Sequence, residues 1–394
     1  MDTPTILIVD DEPAIGSMLK MLLQCANPRC NIQSFTNPLS LLEAIPNQTP
    51  NLVISDFRMP EMSGTELLEN VRKTSPATIR LLMSGYMAQL AKVGSAHQFI
   101  AKPFQPKETV LKVHRAISIQ ANFQSNPALV KLVTGLQSLP VIPVVFTQLM
   151  ALLEQTESSL QDIANLLAQD GGMLTRVIQL ANSPLFQRGD PVTSAVDAIL
   201  VLGLQNIKAI VLSLHLFNNY NQLNFQPIKP EQLWSHCWKV GTIAQRLCCK
   251  YHGAQFSNDA FFAGILHDLG QLILMENRPQ QYMATYEKAV KTKQSLACVE
   301  KQEFGLTSQE LCSFLAQLWG LSPSVTNAIA HHEAPWMLPH TGFNAGDAVY
   351  LANLLVRQQN AYDVFHTPDP DVQYLRSITN GKYDNEDCCI LNRF

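Results

Sequence analysis

The chain has 394 residues, of which 46% are hydrophobic and 15% charged, and its formal net charge is −4. This length accommodates two or three domains with sizeable apolar cores. The acidic balance, without a basic stripe, argues against a nucleic-acid-binding surface.

Two further features bear on the compartment. The N-terminus has no basic segment of the kind that opens a signal peptide, and polar residues interrupt the longest apolar zone, 198–217. We therefore expect two core helical segments there and no membrane span. Nine cysteines without a C-x-x-C pair indicate free thiols in a reducing cytoplasm.

The first 120 residues alternate strand-length apolar runs with helical patterns. Strands are predicted at 5–9, 31–35, 52–54, 78–83 and 97–100, and helices at 13–23, 39–45, 64–71 and 107–119. This alternation predicts a parallel sheet with helices on both faces. The segment 85–96 is short for a full helix with its loops, so a complete helix is not expected there.

Polar residues follow four of the predicted strands: Asp10 and Asp11, then Asp56, Ser84 and Lys102. In a parallel sheet these positions meet at one edge. Clustered carboxylates raise one another's pKa unless a cation lies among them, and Mg²⁺ is the cation that best suits oxygen ligands and retained waters. Such a site allows one carboxylate to accept a phosphoryl group as an acyl phosphate. A lone strand-end Asp would instead be a solvated loop residue.

This pattern resembles the receiver domain of two-component response regulators over residues 4–120. The matching strings are Ile8-Val9-Asp10-Asp11-Glu12, Ser55-Asp56-Phe57-Arg58-Met59-Pro60, Met83-Ser84-Gly85 and Lys102-Pro103-Phe104. The resemblance implies a flavodoxin-like (βα)5 fold with strand order 2-1-3-4-5, and a cis Lys102–Pro103 bond. A receiver fold that no longer takes phosphate is the alternative.

The same resemblance implies roles for individual residues. Asp56 would be the phosphoacceptor, and Asp11, Asp56 and the Arg58 carbonyl would bind Mg²⁺, with Asp10 reaching it through water. Lys102 and the Ser84 hydroxyl would bind the phosphoryl group, and Ser84 and Phe99 would be the residues that switch conformation. A sensor histidine kinase is the implied partner.

After a linker helix within 121–138, the remaining pattern is helical. Helices are predicted at 144–153, 159–168, 172–181, 194–202, 206–217, 230–251, 259–275, 280–291, 295–303, 308–319, 322–331 and 344–359. We find no convincing strand, so an all-α domain is expected. A C-terminal helical extension (341–379) and a polar tail (380–394) follow it.

Histidines and acids recur at the ends of apolar helices in this half: His236, His267-Asp268, His331-His332 and Asp347. A buried His–Asp pair must be hydrogen-bonded or bind a metal. Imidazole and carboxylate ligands suit Fe, Mn, Ni or Zn.

The second half resembles the HDOD domain, a relative of the HD metal-dependent phosphohydrolases, over residues 139–340. The strings that carry it are Leu180-Ala181-Asn182-Ser183-Pro184-Leu185-Phe186, Ala198 to Gly203, Leu139 to Pro143, Gly264 to Gly270, Trp319-Gly320-Leu321 and His331-His332. The family implies a signalling output without established catalysis.

The HD pattern of ligands can be laid on His236, His267, Asp268 and Asp347, with His331 and His332 as additional candidates. The region near Ser308 lacks an intermediate histidine, and no Gly-Tyr-Pro string occurs. Three interpretations stay open: a buried polar network, a single transition metal without turnover, and a phosphohydrolase acting on a cyclic dinucleotide or other phosphoester. Asn182 and Ser183 are interpreted as helix caps in preference to ligands.

Taken together, the sequence predicts a cytoplasmic bacterial response regulator with a non-catalytic output domain that binds a protein or small-molecule partner. No DNA-binding module is recognised. A receiver-gated phosphohydrolase, a homodimer and a scaffold insensitive to phosphorylation are left open.

Overall fold

The structure of the protein is a computed structural model that describes most of the chain. The described residues are 3–85, 96–135, 142–154, 158–183, 186, 189–220, 229–253, 256–338, 342–359, 371–379 and 381–382. Two compact units are present, one of Met1–Glu154 with Leu318–Gly320 and the other of Gln155–Gln317 with Leu321–Phe394.

The first unit contains a five-stranded parallel sheet. Its strands are β1 (Thr5–Val9), β2 (Asn31–Phe35), β3 (Leu52–Asp56), β4 (Ile79–Ser84) and β5 (Gln98–Ala101). The order β2-β1-β3-β4-β5 confirms the predicted flavodoxin-like sheet. Every residue of β3 and β4 is buried. Continuous apolar runs in the sequence are typical of such strands, which are covered on both faces of the sheet.

Helices α1 (Pro13–Ala26), α2 (Pro38–Gln48), α3 (Gly64–Thr74) and α4 (Pro106–Gln124) accompany the sheet. Ser63 begins α3 with a capping box, since Ser63 and Glu66 satisfy each other's backbone N–H groups. A Cβ atom at Gly64 would lie 1.9 Å from the main-chain oxygen of Asp56, so only glycine lets the loop after β3 return this closely. The expectation about a helix within 85–96 falls largely outside the described residues.

Two more helices belong to this unit, α5 (Pro127–Thr134) and α6 (Val144–Glu154). Asn126 caps α5 by accepting a hydrogen bond from Leu129 N, and Pro127 occupies its first turn. Helix α5 lies within the range 121–138 in which a linker helix was expected.

The second unit is helical wherever it is described. It comprises α7 (Leu160–Ala168), α8 (Gly171–Ala181), α9 (Ala195–Leu202), α10 (Leu204–Asn218), α11 (Pro230–Tyr251), α12 (Ser257–Leu266), α13 (Leu269–Asn277), α14 (Pro279–Thr292), α15 (Leu296–Phe304), α16 (Ser308–Leu318), α17 (Pro323–His331), α18 (Ala345–Gln359) and α19 (Val372–Ile378). No described residue of this unit lies in a strand, as expected.

One predicted helix was wrong. The pattern at 259–275 suggested a single helix, but α12 ends at Leu266 and α13 begins at Leu269. Both helices are buried on nearly every side, so neither has the amphipathic stripe whose change of direction would have revealed the break. His267 and Asp268 lie at this junction.

Helices α9 and α10 meet at a sharp bend of 108°. In the described part of the chain no single helix has the length and apolar character to cross a bilayer, and this bent pair meets those criteria only when its two members are joined. The interpretation of 198–217 as two segments agrees with the break at Gly203.

A close helix crossing determines where the histidines lie. A Cβ atom at Gly264 of α12 would lie 2.5 Å from the Cα atom of Gly241 in α11. The two helices therefore approach to backbone contact, which any larger residue at 264 would prevent. This crossing brings the start of α11, with His236, close to the end of α12, where His267 follows.

Candidate functional site

The edge of the sheet at the carboxyl ends of the strands gathers the polar residues that the sequence singled out. The Nζ atom of Lys102 lies 2.7 Å from Oδ2 of Asp10 and also contacts Oδ1 of Asp56. Ser84 ends the neighbouring strand, and its carbonyl oxygen accepts a hydrogen bond from Lys102 N at 2.9 Å. Residues from four strands or their following loops thus meet at this edge.

The electrostatics of this edge depend on burial. Asp10 has no exposed surface, and desolvation raises its pKa despite the hydrogen bonds from Lys102 and Glu12 N. Desolvation acts to lower the pKa of Lys102, but hydrogen bonds to Asp10 and Asp56 outweigh it and the pKa is raised. Lys102 is therefore an ammonium shared between two carboxylates.

The remaining receiver residues have defined positions. Asp56 is 7% exposed, and its Oδ2 accepts a hydrogen bond from Arg58 N at 2.8 Å. Asp11 is exposed in the loop after β1. Phe99 in β5 is buried, and the Lys102–Pro103 peptide is cis.

These residues fit a hard cation. The Lys102 ammonium contacts two carboxylates, those of Asp10 and Asp56, and Asp11 follows Asp10 in the same loop, so a divalent ion would balance the remaining negative charge. Desolvation and the nearby Asp56 charge both raise the pKa of Asp10, so a further cation would stabilise its carboxylate form. Carboxylate and carbonyl oxygens are the ligands that Mg²⁺ takes.

A second polar cluster surrounds the junction between α12 and α13. His267 and Asp268 are both buried, at 0% and 4% exposure. The Nδ1 atom of His267 lies 2.7 Å from the carbonyl oxygen of Gly264, and Nδ1 of His332 lies 2.9 Å from that of Ile329. Because a carbonyl only accepts, each Nδ1 carries a hydrogen, and each ring directs its Nε2 atom elsewhere.

Those two Nε2 atoms lie close to Asp268. His267 Nε2 is 3.3 Å from Asp268 Oδ2, and His332 Nε2 is 3.9 Å from Asp268 Oδ1. Both nitrogens are buried, and neither makes a hydrogen bond of acceptable geometry with a described residue. Buried polar atoms normally have partners, so two unsatisfied nitrogens beside one carboxylate indicate a missing proton, water or metal ion.

His236 completes a group that could hold a metal ion. The ligand atoms of His236, His267 and Asp268 lie within 4.8 Å of one another. His236 Nε2 is 3.8 Å from Asp268 Oδ2 and 3.0 Å from Oδ1 of Asn353. The donors, imidazole nitrogen and carboxylate oxygen, fit a transition metal.

The pKa shifts in this cluster leave one charged imidazole. Burial lowers the pKa of His236 to about 3 and that of His332 to about 4, so both rings are neutral. Burial acts in the same direction on His267, but the charge of Asp268 outweighs it and raises the pKa. The charge of His267 in turn lowers the pKa of Asp268 against the effect of its burial. Either this proton or a metal cation balances the carboxylate.

Two residues that the sequence grouped with this cluster lie elsewhere. His331 is the last residue of α17 and is half-buried outside the group, whereas His332, directly after the helix, lies near Asp268. Asp347 precedes Asn353 by six residues, which is about 9 Å along the helix axis. Its carboxylate instead accepts hydrogen bonds from Asn344 N and the Tyr374 hydroxyl.

Sequence reasoning missed Asn353, which lies beside His236 and is on the same helix as Asp347. A signal was available, because Asn353 is a single amide within the otherwise apolar stretch 348–356 of α18. It is 3% exposed. A lone polar residue in a buried helix is expected to have a specific partner.

A buried carboxyl was also missed. Glu300 is fully buried, and its oxygens accept hydrogen bonds from Tyr282 OH, Ser308 N and Ser308 Oγ. Ser308 is therefore engaged with Glu300, at the place where an additional metal-binding histidine would have been needed.

Asn182 and Ser183 make local contacts of the capping kind. The Asn182 side chain accepts a hydrogen bond from Val192 N and donates one to Val192 O, both at 2.7 Å. Ser183 Oγ donates to the carbonyl oxygen of Leu180. The two bonds of Asn182 join the end of α8 to the segment that leads into α9.

Comparison with known proteins identifies two different domains in this chain. A family model described as "Response regulator receiver domain" matches residues 6–114, and one described as "HDOD domain" matches residues 139–335. An HDOD domain protein from Geobacter sulfurreducens superposes with a TM-score of 0.56 at 23% identity, covering 68% of this chain and 93% of that chain.

Curated relatives match only in part. The DNA-binding transcriptional regulator NtrC of Escherichia coli is 33% identical over 122 residues, which are 30% of this chain and 26% of NtrC. A Treponema pallidum protein is 22% identical over 253 residues, 63% of this chain and 48% of that protein. The chain thus spans about a quarter and about half of these two relatives. With half of its length matched by the HDOD model, the chain belongs to the HDOD family, and it carries a response regulator receiver domain ahead of its HDOD domain.

Proposed function

We propose that this protein is a cytoplasmic response regulator of a bacterial two-component system, phosphorylated on Asp56 by a sensor histidine kinase. The observation that carries the proposal is the contact of Lys102 Nζ with both Asp10 and Asp56 at the carboxyl edge of the sheet. An ammonium in this position stabilises charge that develops on a transferred phosphoryl group.

In the proposed reaction, a carboxylate oxygen of Asp56 attacks the phosphorus of a phosphohistidine. The P–N bond breaks, its electrons stay on the imidazole nitrogen, and an acyl phosphate forms. Mg²⁺ held by Asp10, Asp11, Asp56 and the Arg58 carbonyl would neutralise phosphoryl oxygens. Lys102 would pair with one of these oxygens and the Ser84 hydroxyl would donate to another.

Phosphorylation is proposed to shift the receiver between two packings in which Ser84, Lys102 and Phe99 differ in position. The HDOD output would then bind a protein or small-molecule partner with altered affinity. Hydrogen exchange of helices α7–α18, with and without beryllofluoride and Mg²⁺, tests this coupling. Unchanged exchange and unchanged partner affinity would favour a scaffold insensitive to phosphorylation.

The phosphoacceptor is tested by incubating the full chain with acetyl phosphate and Mg²⁺ and measuring acid-stable, base-labile phosphate. We expect labelling of the wild type and of the exposed-site control Asp190→Asn, and none of Asp56→Asn. Equal labelling of Asp56→Asn would refute the assignment.

A second function is favoured by the group of His236, His267 and Asp268 together with the two unsatisfied Nε2 atoms. These residues would hold one transition metal, which would supply a Lewis acid for hydrolysis of a cyclic dinucleotide or other phosphoester. A second metal would need a histidine near position 308. Ser308 is there instead, and it donates its hydrogen bonds to Glu300. Elemental analysis of protein purified without chelator tests binding, and hydrolysis of a phosphoester panel, with His267→Ala as control, tests turnover.

A further inference from the structure

The three histidines around Asp268 are not equally prepared to bind a metal ion. His267 and His332 each donate a hydrogen bond from Nδ1 to a backbone carbonyl. The Nε2 atom of each ring points towards Asp268 and has no hydrogen bond to a described residue. His236 differs, because its Nε2 atom is already bonded to Oδ1 of Asn353 at 3.0 Å.

An imidazole nitrogen offers a single in-plane direction, occupied either by a hydrogen or by a lone pair. If the Asn353 oxygen accepts, Nε2 carries the hydrogen and has no lone pair for a metal. If the amide is turned so that its nitrogen donates, the lone pair is used. In both arrangements the contact with Asn353 competes with coordination by His236.

Burial makes this contact costly to break. Asn353 is 3% exposed and His236 is only partly exposed, with 14% of its side chain accessible. An amide that lost His236 here would have no ready exchange with bulk water, and a buried polar group without a partner is unfavourable. Metal binding through His236 would have to supply that free energy.

We propose that Asn353 is a positioning residue that holds His236 away from coordination and so lowers the metal affinity of the site formed by His236, His267 and Asp268. This inference rests on the metal site proposed above. Asn353 and His236 are on α18 and α11, which pack together, so a small shift of one helix against the other would release His236. Metal affinity would then depend on the packing of α18.

The test is a Co²⁺ titration of the full chain in excess Mg²⁺, so that the receiver edge is occupied. Visible absorption reports the Co²⁺ ion bound through imidazole nitrogen, because ligand type and geometry determine the spectrum. Asn353→Leu keeps the branched shape and the number of heavy atoms of the side chain and removes the contact. Asn206→Leu, a buried amide of α10 that bonds to Leu202 O and Gln245, is the matched control.

We expect Asn353→Leu to tighten Co²⁺ binding about tenfold, the scale on which partners of metal ligands act, and Asn206→Leu to leave it unchanged. Should Asn353→Leu fail to fold, as judged by circular dichroism, Asn353→Ser removes the contact at smaller volume and is expected to tighten binding as well.

Weaker binding in the Asn353 variants would overturn the inference, because it would make Asn353 itself a ligand, and unchanged binding would overturn it too. In either case, if the wild type binds Co²⁺ and His267→Ala does not, the proposed metal site would still be supported. If neither wild type nor variants gave the imidazole-bound spectrum, both the site and the inference would fail.

Discussion

Tyr282 donates a hydrogen bond of 3.1 Å to Oε1 of Glu300, and both side chains are fully buried. Ser308 of α16 donates two more hydrogen bonds to the same carboxyl group. The contact therefore joins α14, α15 and α16, and desolvation raises the pKa of Glu300 to about 8.

This pKa makes stability depend on pH. The ordinary value for Glu is 4.5, so the folded protein binds this proton more tightly than the unfolded chain. The contribution of the protonated carboxyl is complete below the unfolded pKa and is lost as pH rises towards 8, by up to about 1.4 kcal/mol per pH unit. We expect denaturation midpoints to fall between pH 5 and 8 in the wild type and to fall less in Glu300→Gln. The exposed-site control Glu287→Gln should behave as wild type, and equal slopes in all three proteins would contradict the shifted pKa.

Replacement of Lys102 by Met should destabilise the receiver. The change leaves the buried Asp10 and its neighbour Asp56 without their shared cation. We expect a loss of about 1–3 kcal/mol in unfolding free energy at pH 7, since breaking a largely buried ion pair leaves an uncompensated charge. The loss should shrink as pH is lowered and Asp10 becomes protonated. Lys107→Met, at an exposed position, is the control, and a pH-independent loss would contradict this account.

Gly64→Ala should disrupt the phosphorylation edge. The added Cβ atom would lie 1.9 Å from the main-chain oxygen of Asp56, so the strand end or the loop must move. We expect strongly reduced labelling by acetyl phosphate and a loss of about 1–3 kcal/mol in the free energy of unfolding. Gly171→Ala meets no atom within 4 Å and serves as the matched glycine control. Normal labelling of Gly64→Ala would be inconsistent with the close approach.

Tyr374→Phe should weaken the attachment of α19. Its hydroxyl donates a 2.6 Å hydrogen bond to Oδ1 of Asp347, which has no exposed surface. Removing the donor should cost about 1–3 kcal/mol, and hydrogen exchange of residues 372–378 should accelerate. Tyr350→Phe, which removes a longer bond of 3.2 Å from Asp371 N, should have the smaller effect. The reverse order would show that the Asp347 contact is not what holds α19.

The receiver half was largely predictable because its information is local. Apolar runs of strand length, each followed by a polar residue, predict both the sheet and the edge at which its carboxyl ends meet. The five-stranded order agreed, and Lys102 was found against Asp10 and Asp56. A parallel sheet leaves few other arrangements for such residues.

The histidine cluster was not predictable to the same degree. Its members are on helices α11 and α18, directly after α17 and at the α12–α13 junction. Their proximity depends on helix crossings such as that of Gly241 and Gly264. Helix packing, and not sequence spacing, places His332 and Asn353 in the cluster and leaves His331 and Asp347 outside it. The sequence by itself determined the two domain types and the order of their elements. The tertiary structure decided which polar side chains share a buried space, because helix packing angles and the rotation of each helix about its axis arise from contacts between distant residues.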